Sequence, residues 1–192
     1  MVRLAGSEYF NPDEAAGRLR AANPGMAVAE ANSAAWHEGR RLLERAIAER
    51  LSFNFETTLG GRTIVGLLEK AIEGGIEVRV WYVGLASPEL HIQRVQARVR
   101  TGGHDIPEAD IRRRFDDSRR NLVRLLPGLT ELRVFDNTDD GDPAQGREPR
   151  PRLLMHFDRG RIIDQVGLAE VPHWAKPIIM AALDASGSPT SV

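Results

Sequence analysis

The stretch LSFNFETTL, residues 51–59, joins a strand-like pattern to side chains that can do chemistry. Two phenylalanines alternate with polar residues, and the stretch then reaches the carboxylate of Glu56 and the hydroxyls of Thr57 and Thr58. In α/β sheets, ligands bind beyond the carboxyl ends of the strands, where polar side chains leave the core without burial. The stretch therefore predicts a substrate-binding edge. The alternative is that the two threonines only cap the turn towards the glycines that follow.

Two other strand-like segments end in the same way, in NPD at residues 11–13 and in DNT at residues 136–138. Asp13 has two interpretations. It is the acid of a helix N-terminus, worth about 0.5 to 1 kcal/mol there, or it accepts a proton from a substrate hydroxyl or holds magnesium through water. Glu56 also has a structural and a functional interpretation, because a carboxylate directly after an apolar strand is costly to bury unless it meets hydroxyls, a metal or substrate.

A second group of candidates is rich in arginine. Four of its members flank a glycine-containing loop with His104 near the apex of that loop, and they are Arg98, Arg100, Arg113 and Arg114. The arrangement resembles a lid, and guanidinium groups on a lid can neutralise a transferring phosphoryl group. The alternative is a solvated helix face, since Arg112 with Asp116, Arg113 with Asp117 and Asp116 with Arg120 are spaced as i,i+4 ion pairs.

Composition limits the class of protein. The chain has 192 residues, of which 42% are hydrophobic and 28% charged, as in ordinary globular proteins. A formal net charge of −1 gives no global basic field, and acidic residues interrupt the arginine helices, so nucleic acid is not expected as a partner. The chain has no cysteine, no apolar run long enough for a bilayer and no secretion signal near Met1, which predicts a cytoplasmic protein without a membrane partner.

Strand-like and helix-like segments alternate along the chain, which predicts an α/β fold with a mainly parallel sheet and helices on both faces. We expect one domain over residues 1–185, with a polar surface loop at 138–150 and a disordered tail at 186–192. Near the C-terminus, strands around 153–157 and 161–163 predict a hairpin, and a last helix is expected from about His173 to Leu183.

Several of these motifs together resemble one family. FETTLGG at residues 55–61, YVGLASPELHIQRVQARV at 82–99, GGHDIPEADIRRRF at 102–115 and NPDE at 11–14 are similar to the zeta-toxin-like P-loop kinases, over about residues 9–137. The resemblance implies a nucleoside-monophosphate-kinase-like fold. It also implies ATP and Mg²⁺ as cofactors, and transfer of the γ-phosphate to a hydroxyl of a sugar or sugar nucleotide such as UDP-N-acetylglucosamine. An antitoxin protein is the partner that such a toxin would have.

The resemblance also implies roles for the candidates. Asp13 would be the base or the carboxylate that positions the acceptor hydroxyl, while Glu56 and Thr57 or Thr58 would contact substrate. The arginines between Gly102 and Arg114, with Arg98, Arg100 and His104 nearby, would clamp phosphates. Asn137 would lie near the adenine of the nucleotide.

One departure from the family concerns activity. The family begins with a strand and a G-x-x-x-x-G-K-[ST] loop that holds the phosphates and magnesium, and this sequence has no such motif. Its only lysines, Lys70 and Lys176, lie outside any glycine-rich loop. We therefore expect a chain truncated at its front, by a fragment or a misplaced start codon, with weak or no activity. The alternative is a non-catalytic ligand-binding or regulatory protein derived from such a kinase.

Overall fold

The computed structural model of the chain describes residues 8–100, 103, 105–139 and 150–187. It shows an α/β protein, as the alternating sequence pattern predicts. The chain divides into two compact units, Met1–Thr58 and Leu59–Val192. Among the described helices, none has both the length and the apolar character that a bilayer span requires.

The first unit pairs two short strands and two helices. Its elements are β1 (Glu8–Phe10), α1 (Pro12–Ala22), α2 (Val28–Glu49) and β2 (Phe53–Phe55). β1 and β2 run parallel, with Phe10 opposite Phe55. The backbone N–H of Glu56 extends this pairing by donating to the carbonyl oxygen of Phe10 at 3.1 Å. Both strands therefore end at the same edge, and the residues that follow them, Asn11 and Glu56, lie side by side.

Small side chains hold the helices of this unit together. α1 and α2 pack through the buried side chains of Ala16, Ala31 and Ala35. A Cβ atom on Gly39 of α2 would lie 2.5 Å from Cε1 of Phe10, so glycine lets the Phe10 ring approach the helix backbone. The end of β1 is thereby anchored on α2.

The second unit contains a mixed sheet. Its elements are α3 (Arg62–Glu73), β3 (Arg79–Gly84), α4 (Pro88–Arg100), α5 (Glu108–Leu125), β4 (Glu131–Asp136), β5 (Arg152–Asp158), β6 (Arg161–Gln165) and α6 (Lys176–Gly187). Short 3₁₀ turns cover Leu126–Gly128 and Leu168–Glu170. The strand order is β3-β4-β5-β6, in which β3 and β4 are parallel and the other two pairs antiparallel. The core is built from side chains with almost no exposure, including Leu122, Leu132, Val134, Met155, Phe157 and Ile178.

The structure confirms the α/β class and the C-terminal hairpin. Arg159 and Gly160 join β5 to β6 with φ of 45° and 77°, the left-handed conformation that a type I′ turn needs at both central positions. The expectation of a mainly parallel sheet is corrected, because a two-residue turn can join only antiparallel neighbours. The expectation of helices on both faces does not hold at β3 either, where Trp81 and Val83 are 57% and 51% exposed.

Other boundaries also differ from expectation. α6 continues through Gly187, so the first two residues of the expected disordered tail are helical, and residues 188–192 lie outside the described part. Most of the expected surface loop, residues 140–149, also lies outside it. The interpretation of residues 1–185 as one domain stays a prediction.

Candidate functional site

Tyr9, Asn11 and Glu56 form a hydrogen-bonded group at the end of the parallel strands of the first unit, here named the strand-end cluster. The Tyr9 hydroxyl donates to Oε1 of Glu56, and Nδ2 of Asn11 donates to Oε2 at 2.9 Å. Glu56 is exposed, whereas Tyr9 and Asn11 are half-buried. Each carboxylate oxygen thus accepts a hydrogen bond from a neutral donor, and the carboxylate remains open to solvent.

Asn11 links this cluster to α1. Its Oδ1 accepts hydrogen bonds from the backbone N–H groups of Asp13 at 2.8 Å and Glu14 at 3.1 Å, which makes Asn11 the N-cap of the helix. Because the helix donors require an oxygen at that position, the amide NH₂ of Asn11 must point the other way, towards Glu56. Pro12 occupies the first helical position, where its missing N–H is not needed.

Asp13 follows in the first turn of α1, where the helix dipole favours a carboxylate. Its side chain is exposed. The helix-start interpretation of Asp13 is therefore correct in position, although the capping side chain is Asn11. Its catalytic role stays a prediction, and the exposed carboxylate leaves that role open. Thr57 and Thr58, which follow Glu56, are exposed as well.

The phenol of Tyr9 has a raised pKa. Burial raises the pKa of the Tyr9 phenol, and the hydrogen bond to Glu56 raises it further. The negative charges of Glu56 and Glu14 add to this effect, while a hydrogen bond with Asn11 opposes it. The phenol is therefore a neutral donor throughout the physiological pH range.

The other predicted site residues belong to the second unit. Arg113 pairs with Asp110 at 2.9 Å and with Asp117 at 3.7 Å, on its own helix. The expected i,i+4 partnership of Arg112 is replaced by a contact across helices, since Arg112 lies 2.5 Å from Glu89 of α4. Arg114 packs its aliphatic stem on Gly60, where a Cβ atom would lie 2.9 Å from the arginine Cγ.

The predicted lid loop is described only in part. The backbone N–H of Gly103 donates to the carbonyl oxygen of Arg98 at 2.9 Å, and the stem of Arg98 lies against that glycine. Arg100 lines a cleft of about 390 Å³ between α4 and α5, together with Asp105 and Glu108. His104 lies outside the described residues.

Asn137 follows β4, and its main chain is fixed at both ends. Its N–H donates to the carbonyl oxygen of Gly84 at 2.9 Å, and Nη2 of Arg94 donates to its carbonyl oxygen at 2.7 Å. Its side-chain Oδ1 is buried and has no hydrogen-bond partner among the described residues. A buried acceptor of this kind is costly unless a donor meets it. Contact with adenine stays a prediction.

Sequence reasoning missed several residues that shape these sites. Tyr9 is not among the sequence-predicted site residues, although its spacing of two from Asn11, which puts both on one face of an extended chain, is an available signal. Trp174 was given no role. Its indole is 3% exposed, covers Gly84 so closely that a Cβ atom there would lie 2.3 Å from the ring, and donates to Oδ1 of Asp136 at 3.2 Å.

The described residues do not fit a cradle for ATP and magnesium. Within them, no three His, Asp or Glu side chains come together as a metal site would require. Lys70 lies in the last turn of α3 and Lys176 begins α6, whereas a phosphate-binding lysine follows a glycine-rich loop. Among the described residues, the strand-end cluster therefore offers carboxylate and hydroxyl groups, and no nucleotide cradle is seen there.

These features define the chain as an α/β protein with a carboxylate held at the end of two parallel strands. Comparison with known proteins gives one relative, an uncharacterized protein of Haemophilus influenzae that is 32% identical over 109 residues, or 55% of this chain and 73% of that protein. The chain belongs to the same family as this protein. No known family profile and no solved structure matches the chain.

Proposed function

We propose that this chain is a phosphotransferase of the zeta-toxin-like P-loop kinase group, in which the strand-end cluster and Asp13 bind the acceptor. The acceptor would be a hydroxyl of a sugar or sugar nucleotide. The observation that carries the proposal is the Glu56 carboxylate, which is exposed and yet held by a hydrogen bond at each oxygen. Both donors are neutral, unlike the arginines that hold the exposed carboxylates of Glu38 and Glu77, so they leave the negative charge of Glu56 for a ligand.

The chemistry of the cluster fits a hydroxyl acceptor. An ionised carboxylate only accepts hydrogen bonds, so Glu56 recognises O–H or N–H groups of a ligand through its remaining lone pairs. Asp13 lies two residues after Asn11 and is exposed, and in the proposal it orients the reacting hydroxyl or takes its proton. Thr57 and Thr58 add hydroxyls beside Glu56 that can both donate and accept.

The arginines would supply the positive charge that phosphates need. In the proposal, Arg98, Arg100, Arg113 and Arg114 clamp phosphate groups, with His104 beside them. Arg113 would exchange Asp110 and Asp117 for a phosphate. That exchange costs little because the arginine side chain is 55% exposed, and an exposed ion pair is worth about 0 to 1 kcal/mol.

The donor in this proposal is ATP with Mg²⁺, and the chain is expected to turn it over weakly or not at all, because the G-x-x-x-x-G-K-[ST] loop is absent from its sequence. The edge of the second sheet supports the family resemblance. β3 is the outer strand of that sheet among the described residues, and there it pairs with β4 on one side only. An apolar parallel strand normally has neighbours on both sides, so β3 is a suitable partner for the phosphate-loop strand that the family carries.

Calorimetric titration with UDP-N-acetylglucosamine tests the acceptor site directly, without any need for turnover. We expect measurable binding by the wild-type chain and at least about a tenfold loss for Glu56→Gln, since hydrogen bonds to charged groups contribute more than neutral ones. Glu30→Gln, a change of the same type at an exposed position in the first turn of α2, is the matched control and should bind as the wild type does. Equal affinity of the two variants would remove Glu56 from the site.

A second candidate function is non-catalytic ligand binding, for regulation or for capture by an antitoxin-like protein. The absence of a phosphate loop from the sequence favours it. Transfer of labelled γ-phosphate from ATP to UDP-N-acetylglucosamine separates the two functions. Transfer that disappears in Asp13→Asn supports the kinase, whereas binding without any transfer supports the non-catalytic protein.

A further inference from the structure

We infer that Tyr9 is a positioning residue, whose hydroxyl, together with the amide of Asn11, fixes the Glu56 carboxylate so that it selects ligands with neutral hydroxyl or amine donors. This inference rests on the proposed function in one respect, that Glu56 meets the ligand. Nothing in the family resemblance assigns a role to Tyr9. The inference follows from the hydrogen bonds of the strand-end cluster.

The register of the two strands explains the geometry. Tyr9 lies opposite Asn54, so Glu56, two residues after Asn54 and just beyond β2, is its diagonal neighbour. Asn11 follows Phe10 as Glu56 follows Phe55, and this makes Asn11 the direct neighbour of Glu56. Side chains two residues apart on a strand share a face, so all three side chains project on the same face. Direct and diagonal neighbours are the pairs that interact across strands, and each holds one carboxylate oxygen here.

The nature of the two donors decides what the carboxylate can recognise. An arginine in the place of Tyr9 would orient Glu56 equally well, but it would cancel the negative charge. A phenol and an amide orient the carboxylate and leave its charge intact. The cluster therefore repels phosphates and other anions and attracts groups that donate hydrogen bonds. The ligand portion that binds here is a polyhydroxyl or amino group, and any phosphate of the same ligand must lie elsewhere.

The two side chains that hold Glu56 have little freedom to move. Asn11 cannot rotate its amide without losing the two backbone hydrogen bonds that cap α1. Tyr9 has a rigid ring on a strand that is anchored through Phe10, its neighbour in sequence. Orientation of Glu56 is thus prepared before any ligand arrives, which lowers the entropy cost of binding.

Two measurements test the inference. The chain contains two tyrosines, Tyr9 and Tyr82, so a Tyr82→Phe background leaves Tyr9 as the single source of tyrosinate absorbance. In this background we expect the pKa of Tyr9 to lie above about 10, the ordinary value. Adding Glu56→Gln should lower it, because the charge that opposes tyrosinate is lost, while burial and Glu14 remain. A Tyr9 pKa that does not change with Glu56→Gln would overturn the inference.

The second measurement is the affinity for UDP-N-acetylglucosamine of Tyr9→Phe and Tyr82→Phe, identical changes in different units of the chain. Tyr82 hydrogen-bonds Ser118 at 2.8 Å and has no part in the cluster, so its variant should bind as the wild type does. Tyr9→Phe should bind about three- to tenfold more weakly, the loss expected for one hydrogen bond. Equal affinity of the two variants contradicts the positioning role while leaving the acceptor site in place.

The two measurements also separate this inference from the proposed function. If the wild-type chain does not bind UDP-N-acetylglucosamine, the proposed acceptor is wrong, and the tyrosinate titration alone decides whether Tyr9 and Glu56 are coupled. A coupled pair in a chain that binds no sugar nucleotide would support positioning for another donor-bearing ligand. An uncoupled pair would refute positioning whatever the chain binds.

Discussion

The chain contains the same four-residue pattern, Phe-acid-x-Thr, at the end of two strands, and the structure gives the two acids different surroundings. Glu56 in residues 55–58 is exposed and accepts hydrogen bonds from Tyr9 and Asn11, one at each oxygen. Asp136 in residues 135–138 is half-buried, and donors converge on a single oxygen. They are the backbone N–H and hydroxyl of Thr138 and the indole of Trp174.

The length of the side chain and the covering residues explain the difference. The shorter aspartate bonds its own chain two residues on, which builds a local turn. The longer glutamate reaches the neighbouring strand. Trp174 covers Asp136, whereas no described residue buries Glu56. A carboxylate at the end of a strand therefore stabilises the local fold at Asp136 and is a candidate ligand contact at Glu56. The difference depends on residues distant in sequence, Trp174 for Asp136 and Tyr9 for Glu56.

The largest predicted effect tests the structural side of this comparison. Trp174→Ala removes a buried indole that covers Gly84 and donates to Asp136. We expect it to lower the free energy of unfolding by about 3 to 5 kcal/mol, as for other large core truncations. Urea denaturation followed by far-ultraviolet circular dichroism measures the change.

The control for this prediction is Trp81→Ala, because Trp81 is 57% exposed on β3. Its effect should stay within about 1 kcal/mol. Similar losses for the two variants would mean that Trp174 does not hold the end of β4 in the way described.

The second prediction compares the two acids directly. Asp136→Asn should lower the free energy of unfolding by about 1 to 2 kcal/mol, because its charged oxygen accepts several hydrogen bonds in a half-buried place. Glu56→Gln should change stability by no more than about 0.5 kcal/mol, as is usual for exposed positions. Denaturation of both variants beside the wild type measures the two values, and a larger loss for Glu56→Gln would reverse the assignment of the acids.

The sequence predicted the local features and missed the distant partners. The residues at 11–13 predict the helix start at α1, and Arg159 with Gly160 lie in the predicted hairpin turn. Both features depend on a few adjacent residues, which is why the sequence predicts them. The contact between Tyr9 and Glu56 spans 47 positions, and periodicity carries no information about it. The partner of Arg112 was missed for the same reason, since Arg112 uses Glu89 of another helix in preference to the acid four residues on, whereas Arg113 pairs with Asp117 as the spacing predicts.

The third prediction concerns His91 on α4, the helix that also carries Arg94 towards the end of β4. Burial lowers the pKa of His91, and the charges of Arg94 and Arg119 lower it further. The unfolded chain then takes up a proton at a higher pH than the folded one. Proton uptake by the unfolded chain therefore lowers the free energy of unfolding as the pH falls below about 6.5, and it has little effect above that pH.

Denaturation at about pH 7.5 and about pH 5.5 checks this sign. Between these values the wild-type chain should lose more stability than His91→Gln, which cannot take up the proton. Identical losses in the two proteins would show that His91 titrates alike in the folded and unfolded chain.

The last prediction concerns Arg113, whose replacement is expected to have a small effect on stability, and it asks whether this arginine of α5 contacts phosphate. Arg113→Gln and its control Arg120→Gln each remove an exposed partner of Asp117, so each should cost no more than about 1 kcal/mol, and less at high salt. If Arg113 clamps phosphate, its variant should bind UDP-N-acetylglucosamine several-fold more weakly than Arg120→Gln does, because the sugar nucleotide carries two phosphates. Both variants should bind N-acetylglucosamine, which has no phosphate, as the wild type does. A loss of affinity that is equal for Arg113→Gln and Arg120→Gln would leave the strand-end cluster as the site and return Arg113 to its surface ion pairs.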